Sequence, residues 1–573
     1  MLKMTWRLSV ATSVACLLLY SSQVNVAQDK PAEGKFSAPN LDSISVEDLK
    51  TDVFFMASDE MRGRDTASAE SDIASAYIAT RFRAAGLKPS GDNGTFYQDV
   101  QFSYREFTES PTIRFFDSSK GVKDGLPSEE FKFGDDFTTM GGDALPVPES
   151  QIVFAGYAIT DPQRGWDDFA GLDLKGKVAL ILRYEPTAWR GKSVRGWSRN
   201  SYLETKAAAL RKAGAVGVIM VSGPASTGGI DNWTAPKTGG LEKLSPPLQL
   251  ADDKVADAAS KAPFYVASVK AIDRVLGGEG KLKEIQDALD ANDRSKTPDL
   301  SKLKVRADVK TRRVTKTGRN VVAKIEGERD EWVVLGGHYD HIGLGYFGAQ
   351  DSRTAMGQIH NGADDNASGT SSIMEIAQAF AKGPKPKRGL LFIAFTGEEK
   401  GLLGSEWYAR HPLIAHEKTL AMINIDMIGR VRDKKLEMHG MASSKALAQH
   451  VRDVEPLFGS LKLKLIEQPV GPVSDMWAFY KAGIPVLFPF SGYNEVMHTA
   501  KDDPETINYE ALADTTRLIA EIIWRVSETE AYPDYRGINK EAKGPDGKYR
   551  IPRKEEPKPA DEEKEEKFSQ QPR

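Results

Sequence analysis

Between about residues 320 and 525, apolar residues fall into short continuous runs, each followed by a longer stretch of helical period. Val321–Ile325, Trp332–Leu335, Leu390–Phe395, Met422–Ile425 and Pro485–Phe488 read as strands buried on both faces. Gly369–Lys382, Gly404–Arg410, Ser444–Val454, Met476–Ala482 and Tyr509–Val526 carry helix spacing. The alternation predicts an α/β domain of three layers, with a mostly parallel central sheet covered on both faces. Upstream, Val46 to Leu87 reads as helical, with Gly86 as its stop. Pro89 to Gly94 is a turn cluster, and extended, alternating segments run from Phe96 to about Phe137. A second, smaller α/β unit begins near Ser150. Its strands are Ile152–Tyr157, Val178–Leu182 and Val216–Val221, its helix is Lys206–Ala213, and a linker-like stretch runs on to about Val305.

Composition narrows the class. Of 573 residues, 40% are hydrophobic and 28% charged, which excludes a wholly disordered chain and a polytopic membrane protein. Lys plus Arg is 77 against Asp plus Glu at 81, so the net charge is −4 and no basic field points to nucleic acid as a partner. Lys3 and Arg7 precede an apolar stretch from Leu8 to Tyr20, then small and polar residues to Ala27. That is the layout of a secretory signal, and the run is short of the ~20 residues of a membrane span. The expectation is a signal peptide over residues 1–27, export to the periplasm or the cell exterior, and no stable membrane span after cleavage. Cys16, the single cysteine, leaves with the signal. A disulfide framework, a thiolate metal cluster and a cysteine nucleophile are then excluded. Residues 28–43 read as a disordered leader and 533–573 as a charged disordered tail. The oligomeric state is left open.

The candidate chemistry sits at the ends of the predicted strands. Trp332–Leu335 runs into Gly336-Gly337-His338-Tyr339-Asp340-His341, and Leu390–Phe395 runs into Thr396-Gly397-Glu398-Glu399. Met422–Ile425 is followed by Asp426, and the loop after Pro485–Phe488 contains His498. Between them, His360-Asn361-Gly362-Ala363-Asp364-Asp365-Asn366 opens a helix. Open α/β sheets bind ligands at the carboxyl ends of their strands, so four strands aim these groups at one crevice. Any one of the aspartates read alone is a helix cap, and any one histidine a loop hydrogen-bonding residue. Together, adjacent carboxylates repel unless a cation or proton relieves them, and mixed imidazole–carboxylate ligation suits zinc best. Two other motif matches are set aside, and the second of them reads as a mobile active-site loop. His416-Glu417 lacks a second histidine four residues on, and Gly343-Leu344-Gly345-Tyr346-Phe347-Gly348 has dinucleotide-loop spacing without the strand and helix that motif needs.

In order and separation, Gly337-His338-Tyr339-Asp340, Gly362 to Gly369, Glu398 to Ser405, Asn424 to Gly429 and Met497-His498-Thr499 resemble the co-catalytic di-zinc aminopeptidase family, which also contains glutamate carboxypeptidase and the transferrin receptor. Ala57-Ser58-Asp59-Glu60-Met61-Arg62-Gly63-Arg64 resembles the family's opening helix region. Leu174 to Val178 and Ala213 to Ile219 resemble an inserted protease-associated domain. The resemblance implies two Zn²⁺ per chain and a metallo-aminopeptidase that acts on peptides as an exopeptidase. Asp365 would bridge the metals, His338 and Asp426 would hold one, and Glu399 and His498 the other. Glu398 would be the general base, and the Asp340 carboxylate would orient His338 from behind. Met497 stands where many members carry an oxyanion-stabilising tyrosine. Tyr493 is the nearby substitute, and His360 a candidate substrate contact. Asp364 and His341 receive no role. On this reading residues 44–145 are the N-terminal part of the peptidase domain, 146–305 the insert with its linker, and 306–532 the catalytic zinc domain. The alternatives are a carboxypeptidase or other amidohydrolase on the same metals, using Arg353 or Arg430 for a terminal carboxylate, and a binding module on an inactive scaffold.

Overall fold

The computed structural model describes residues 36–118, 128–139, 145–189, 198–224, 248–253, 262–541 and 543. The expected signal, the leader before residue 36 and the tail from 544 lie outside the described residues. Two large sheets organise the chain. The larger has at its centre four parallel strands in the order Arg388–Phe395, Arg329–His338, Thr419–Asn424 and Val486–Phe490. On one side it continues antiparallel through Thr311–Ile325 to Tyr97–Phe107 and Gln249–Leu250. On the other side Lys435–His439 runs antiparallel to Val486–Phe490 and parallel to Lys462–Leu465.

The central strands are apolar on both faces because both faces are covered. Val333, Leu335, Leu390, Phe392 and Ile423 pack with the helices Val46–Met56, Ala69–Ala84, Gly369–Ala381, Lys445–Val454 and Tyr509–Glu528. Their alternates Val334, Leu391, Ile393, Phe395 and Met422 pack with Leu403–Arg410 and Met476–Ala482 on the opposite face. This period-2 split gives the three layers. Register then sets the site. His338 lies opposite Phe395, and Gly336 opposite Asn424, so the residues that follow these strands emerge along one edge.

The second sheet has eight strands, in the order Glu129–Lys132, Thr112–Asp117, Leu303–Asp308, Val147–Phe154, Val178–Leu182, Gly217–Val221, Phe264–Ala267 and Phe137–Thr139. It reaches further than a boundary at residue 146 allows. Ile113, Phe115, Phe131 and Phe137 are buried with Leu180 and Ile219 in this sheet's core, so the strands around them belong to it rather than to the preceding unit. The stretch expected to be a linker also folds. Val269–Leu276 and Lys281–Asp290 are helices that cover one face through Ile272, Leu282, Ile285 and Leu289.

Two expectations of disorder are corrected in part. Ala38 and Leu41 are buried, and Glu521 accepts hydrogen bonds from the Ser37 and Ala38 amides at 2.9 and 2.8 Å. Residues 533–541 are likewise docked. The buried Tyr535 hydroxyl donates to the Tyr480 carbonyl at 2.5 Å, and the Arg536 amide to the Ser443 carbonyl at 2.8 Å. No helix among the described residues is long and apolar enough to cross a membrane.

Candidate active site

Five chain segments converge at the carboxyl edge of the central strands, and Asn366 ties three of them together. Its side-chain N–H groups donate to the Ile425 carbonyl at 2.9 Å and the His338 carbonyl at 3.2 Å, and its side-chain oxygen accepts from the amides of Gly369 and Met427. The backbone crowds here. A Cβ on Gly337 would lie 2.2 Å from the Ile425 carbonyl oxygen, so no larger residue fits immediately before His338.

Two groups of metal-type ligands result, His338–Asp365–Asp426 and His341–Asp365–Glu399–His498. Asp365 belongs to both, and its two oxygens divide between them. Oδ1 lies 3.3 Å from His338 Nε2, and Oδ2 lies 3.0 Å from His498 Nε2. His338 Nε2 is also 3.3 Å from Asp426 Oδ1, and His498 Nε2 is 3.2 Å from Glu399 Oε2. In each imidazole the other nitrogen is committed to a main-chain carbonyl. His338 Nδ1 pairs with Asp340 O at 3.0 Å, and His498 Nδ1 with Gly348 O at 3.1 Å. With Nδ1 donating, each Nε2 faces two carboxylate oxygens, an arrangement that calls for a cation, a proton or a metal ion, at its centre. Asp426 Oδ1 is buried without a hydrogen-bond partner, which fits the same need.

The electrostatics run the same way. Burial lowers the His338 imidazole, yet the carboxylates of Asp426 and Glu398 and contact with Asp365 carry it well above its ordinary value. His498 is opposed by burial too, but Glu399 and Asp365 push it up to about 12. Burial raises Asp365, and the imidazoles of His338 and His498 outweigh that and hold it well below the carboxylate range. Burial pushes Glu398 well above its ordinary value, against the pull of His338 and reinforced by Glu399 and Asp426. The residues present thus form a cation-seeking centre whose donors, carboxylate oxygens and imidazole nitrogens, fit two zinc ions.

The surroundings depart from the sequence reading at several positions. The Asp340 carboxylate stands 3.9 Å from His338 Nδ1, so the imidazole is oriented by the Asp340 carbonyl. The carboxylate is occupied elsewhere, accepting from the Thr66 hydroxyl at 2.5 Å and the Glu398 amide at 3.2 Å. His360 cannot touch substrate. It is fully buried, with Nδ1 on the Gln358 carbonyl at 3.0 Å and Nε2 on Asp351 at 2.9 Å. Asp351 in turn accepts the Ala500 amide at 2.9 Å, and the Gln350 amide donates to the His498 carbonyl at 2.8 Å. The glycine-rich loop is therefore a brace for His498. Tyr493 is 63% exposed, its ring edge-on to Phe490, on the loop that leads to His498. Arg430 is buried and pairs with Glu495 at 3.3 Å, while the Arg353 side chain lies outside the described residues.

Other residues at the site had escaped the sequence reading. Asp502, four residues after His498, accepts the amides of Asp364 and Asp365, each at 3.0 Å, and so fixes the backbone of the shared carboxylate. Asp364 spans two loops, accepting from the Gly429 amide at 2.8 Å and the Asn494 side chain at 3.0 Å. Arg64, fully buried, donates to the carbonyls of Tyr339 at 2.8 Å, Asn361 at 2.6 Å, Gly362 at 3.0 Å and Met56. Only Arg64 had a visible signal, its place at the end of the segment Ala57 to Arg64. Asp502 follows a lysine and precedes a second aspartate and a proline, a setting that reads as a surface turn.

Residues 320–523 match the model of peptidase family M28, and residues 147–248 match that of the PA domain. A probable zinc metalloprotease of Pyrenophora teres f. teres (strain 0-1) is 39% identical over 111 residues, 19% of this chain and 22% of that protein. Aminopeptidase YwaD of Bacillus subtilis (strain 168) is 31% identical over 185 residues, 30% of this chain and 39% of that protein. The chain thus aligns with well under half the length of these two relatives. Among solved structures, an aminopeptidase from Aneurinibacillus sp. strain AM-1 superposes with a TM-score of 0.52 at 18% identity, covering 88% of this chain and 98% of that one, a likeness of fold. The ordered motifs and the shared carboxylate at the strand edge fall within the residues, 320–523, that are similar to peptidase family M28, and residues 147–248 are similar to the PA domain.

Proposed function

We propose that the chain is a zinc-dependent exopeptidase that releases N-terminal amino acids from peptides by two-metal hydrolysis. The observation that carries this reading is the division of Asp365, one oxygen toward His338 and the other toward His498. A carboxylate so placed suits two cations a few ångströms apart. His338, Asp365 and Asp426 would hold one zinc, and Asp365, Glu399 and His498 the other. When bound, zinc polarises a scissile carbonyl and acidifies water.

The chain's own groups supply the rest. Glu398 takes the proton of the attacking water on its carboxylate and returns it to the departing amine. Burial beside Glu399 and Asp426 raises its proton affinity in the direction such a shuttle needs, and its amide, donating to Asp340 Oδ1, fixes where it starts. Of the two arginines offered for a terminal carboxylate, Arg430 is committed to Glu495, and the Arg353 side chain lies outside the described residues. The commitment of Arg430 counts against the form of the carboxypeptidase alternative that would use it. Tyr493, exposed on the loop before His498, is the side chain we assign to oxyanion or substrate contact. Export to the periplasm or exterior rests on the pattern of residues 1–27.

Hydrolysis of one peptide in three forms tests the proposal: free, amino-acetylated and carboxyl-amidated. The free and amidated forms should be cut one residue at a time from the amino end, and the acetylated form spared. Cleavage of the acetylated form with the amidated form spared would replace this reading with a carboxypeptidase.

A further inference from the structure

We infer that His341 is a positioning residue for Glu399: its Nδ1–H holds Oε1 and leaves Oε2 alone to face the position shared with His498 and Asp365. The inference rests on the metal reading above and assigns a residue that reading does not use.

His341 lies three residues beyond His338, where the chain has left its strand and pairs beside Asp65, its amide donating to the Arg64 carbonyl at 3.2 Å. The ring has little freedom. Gly362, at φ +63°, passes so close that a Cβ there would lie 2.5 Å from His341 Cγ and Cδ2. On another side the ring stands edge-on to His498, centroids 5.6 Å apart. So wedged, it brings Nδ1 to 2.8 Å from Glu399 Oε1, while Glu399 Oε2 lies 3.2 Å from His498 Nε2. The two oxygens of Glu399 are thus allotted to different partners.

The chemistry fixes the direction of the contact. An ionised carboxylate only accepts, so Nδ1 is the donor of this contact. Nε2 is buried with no hydrogen-bond partner, so the ring's one polar side-chain contact is the one through Nδ1. The contact removes rotational freedom from a side chain one methylene longer than Asp426 and would keep its second oxygen from joining the first on a metal. Groups of this kind behind a metal ligand are typically worth ~10–100-fold in metal affinity. A competing task for the same atoms is direct ligation by His341, and the two predict different substitutions to be tolerated.

The experiment titrates metal-stripped full-length protein with Zn²⁺ in a competing chelator, and with Co²⁺ followed by visible absorption. It uses wild type, His341→Ala and His341→Asn, with melting curves as a check on folding. Asn restores an N–H donor near the place of Nδ1 but is a poor zinc ligand. His341→Ala should weaken one of two metal equivalents ~10–100-fold and spare the other. His341→Asn should recover most of the loss and leave the cobalt bands at their wild-type positions. Wild-type affinity in His341→Ala overturns the inference. An Asn variant as weak as Ala, with shifted cobalt bands, overturns it in favour of ligation. Wild-type protein that takes up no second equivalent overturns the two-metal reading, and this inference with it.

Discussion

Arg64 offers the most quantitative test of how the site is held. Its guanidinium is fully buried and serves four carbonyls, of which Tyr339 adjoins His338, and Asn361 and Gly362 lead into Asp364-Asp365. Burial lowers its pKa to about 10, opposed by Asp340, Asp365 and Asp502, so it stays charged at neutral pH. Arg64→Lys keeps the charge but replaces a planar five-donor fork with a single ammonium. One nitrogen cannot reach both sides of that fork, so about two carbonyls lose their donor. At ~1–3 kcal/mol for each buried group left unsatisfied, the loss is about 2–6 kcal/mol, a large part of the ~5–15 kcal/mol typical of a folded protein. Arg62 is the internal control. Its side chain is 54% exposed and lies 3.4 Å from Glu70, so Arg62→Lys should change stability by ~0.5 kcal/mol or less. Urea unfolding of the metal-free proteins measures both, and a zinc competition titration should show Arg64→Lys binding more weakly. If the two variants unfold together and bind zinc alike, Arg64 is not the tie described here.

Two further substitutions probe chemistry and pH. Glu398→Gln should lower kcat by ~10²–10⁴ while retaining the metals and the melting temperature, as expected for a proton shuttle. Near-normal kcat with metal bound would remove Glu398 from that role. Away from the site, buried Asp52 and Glu375 share the guanidinium of Arg81, at 2.7 Å from Glu375. Burial, and then the neighbouring Asp52 charge, push Glu375 up to about 7. A carboxyl raised on folding is held protonated by the native chain, so its contribution is lost as pH rises from ~4.5 through about 7. Glu375→Gln should therefore match wild type near pH 4.5 and exceed it by about 1–3 kcal/mol at pH 8. A difference in urea midpoint that does not vary with pH would contradict this.

The central strands were legible because a strand covered on both faces is an apolar run, and the groups that follow it are thrown to one edge. His338, Asp365, Glu399, Asp426 and His498 do lie together there. What the sequence hid depends on contacts between distant segments. Asp502 looks like a turn residue until its carboxylate is seen on two amides 137 and 138 residues away. The Asp340 carboxylate was placed behind His338 by its spacing, but Thr66, 274 residues upstream, takes it instead. The helices Val269–Leu276 and Lys281–Asp290 were readable and missed. Ser268 caps the first through the Ala271 amide and Gly277 ends it, but each helix is short and flanked by charged turns. The residues in 112–139 fell in the wrong unit because a strand's sequence records which face is buried and not which sheet it joins.

Zinc counted against chain in one preparation, together with the rate of amino-terminal residue release, tests the central claim most directly. The account predicts about two equivalents of zinc, activity abolished by a strong chelator and restored by zinc, and loss of both metals' tight binding in Asp365→Ala. Full peptide hydrolysis by thoroughly metal-free protein, or two tightly held equivalents persisting in Asp365→Ala, would contradict it.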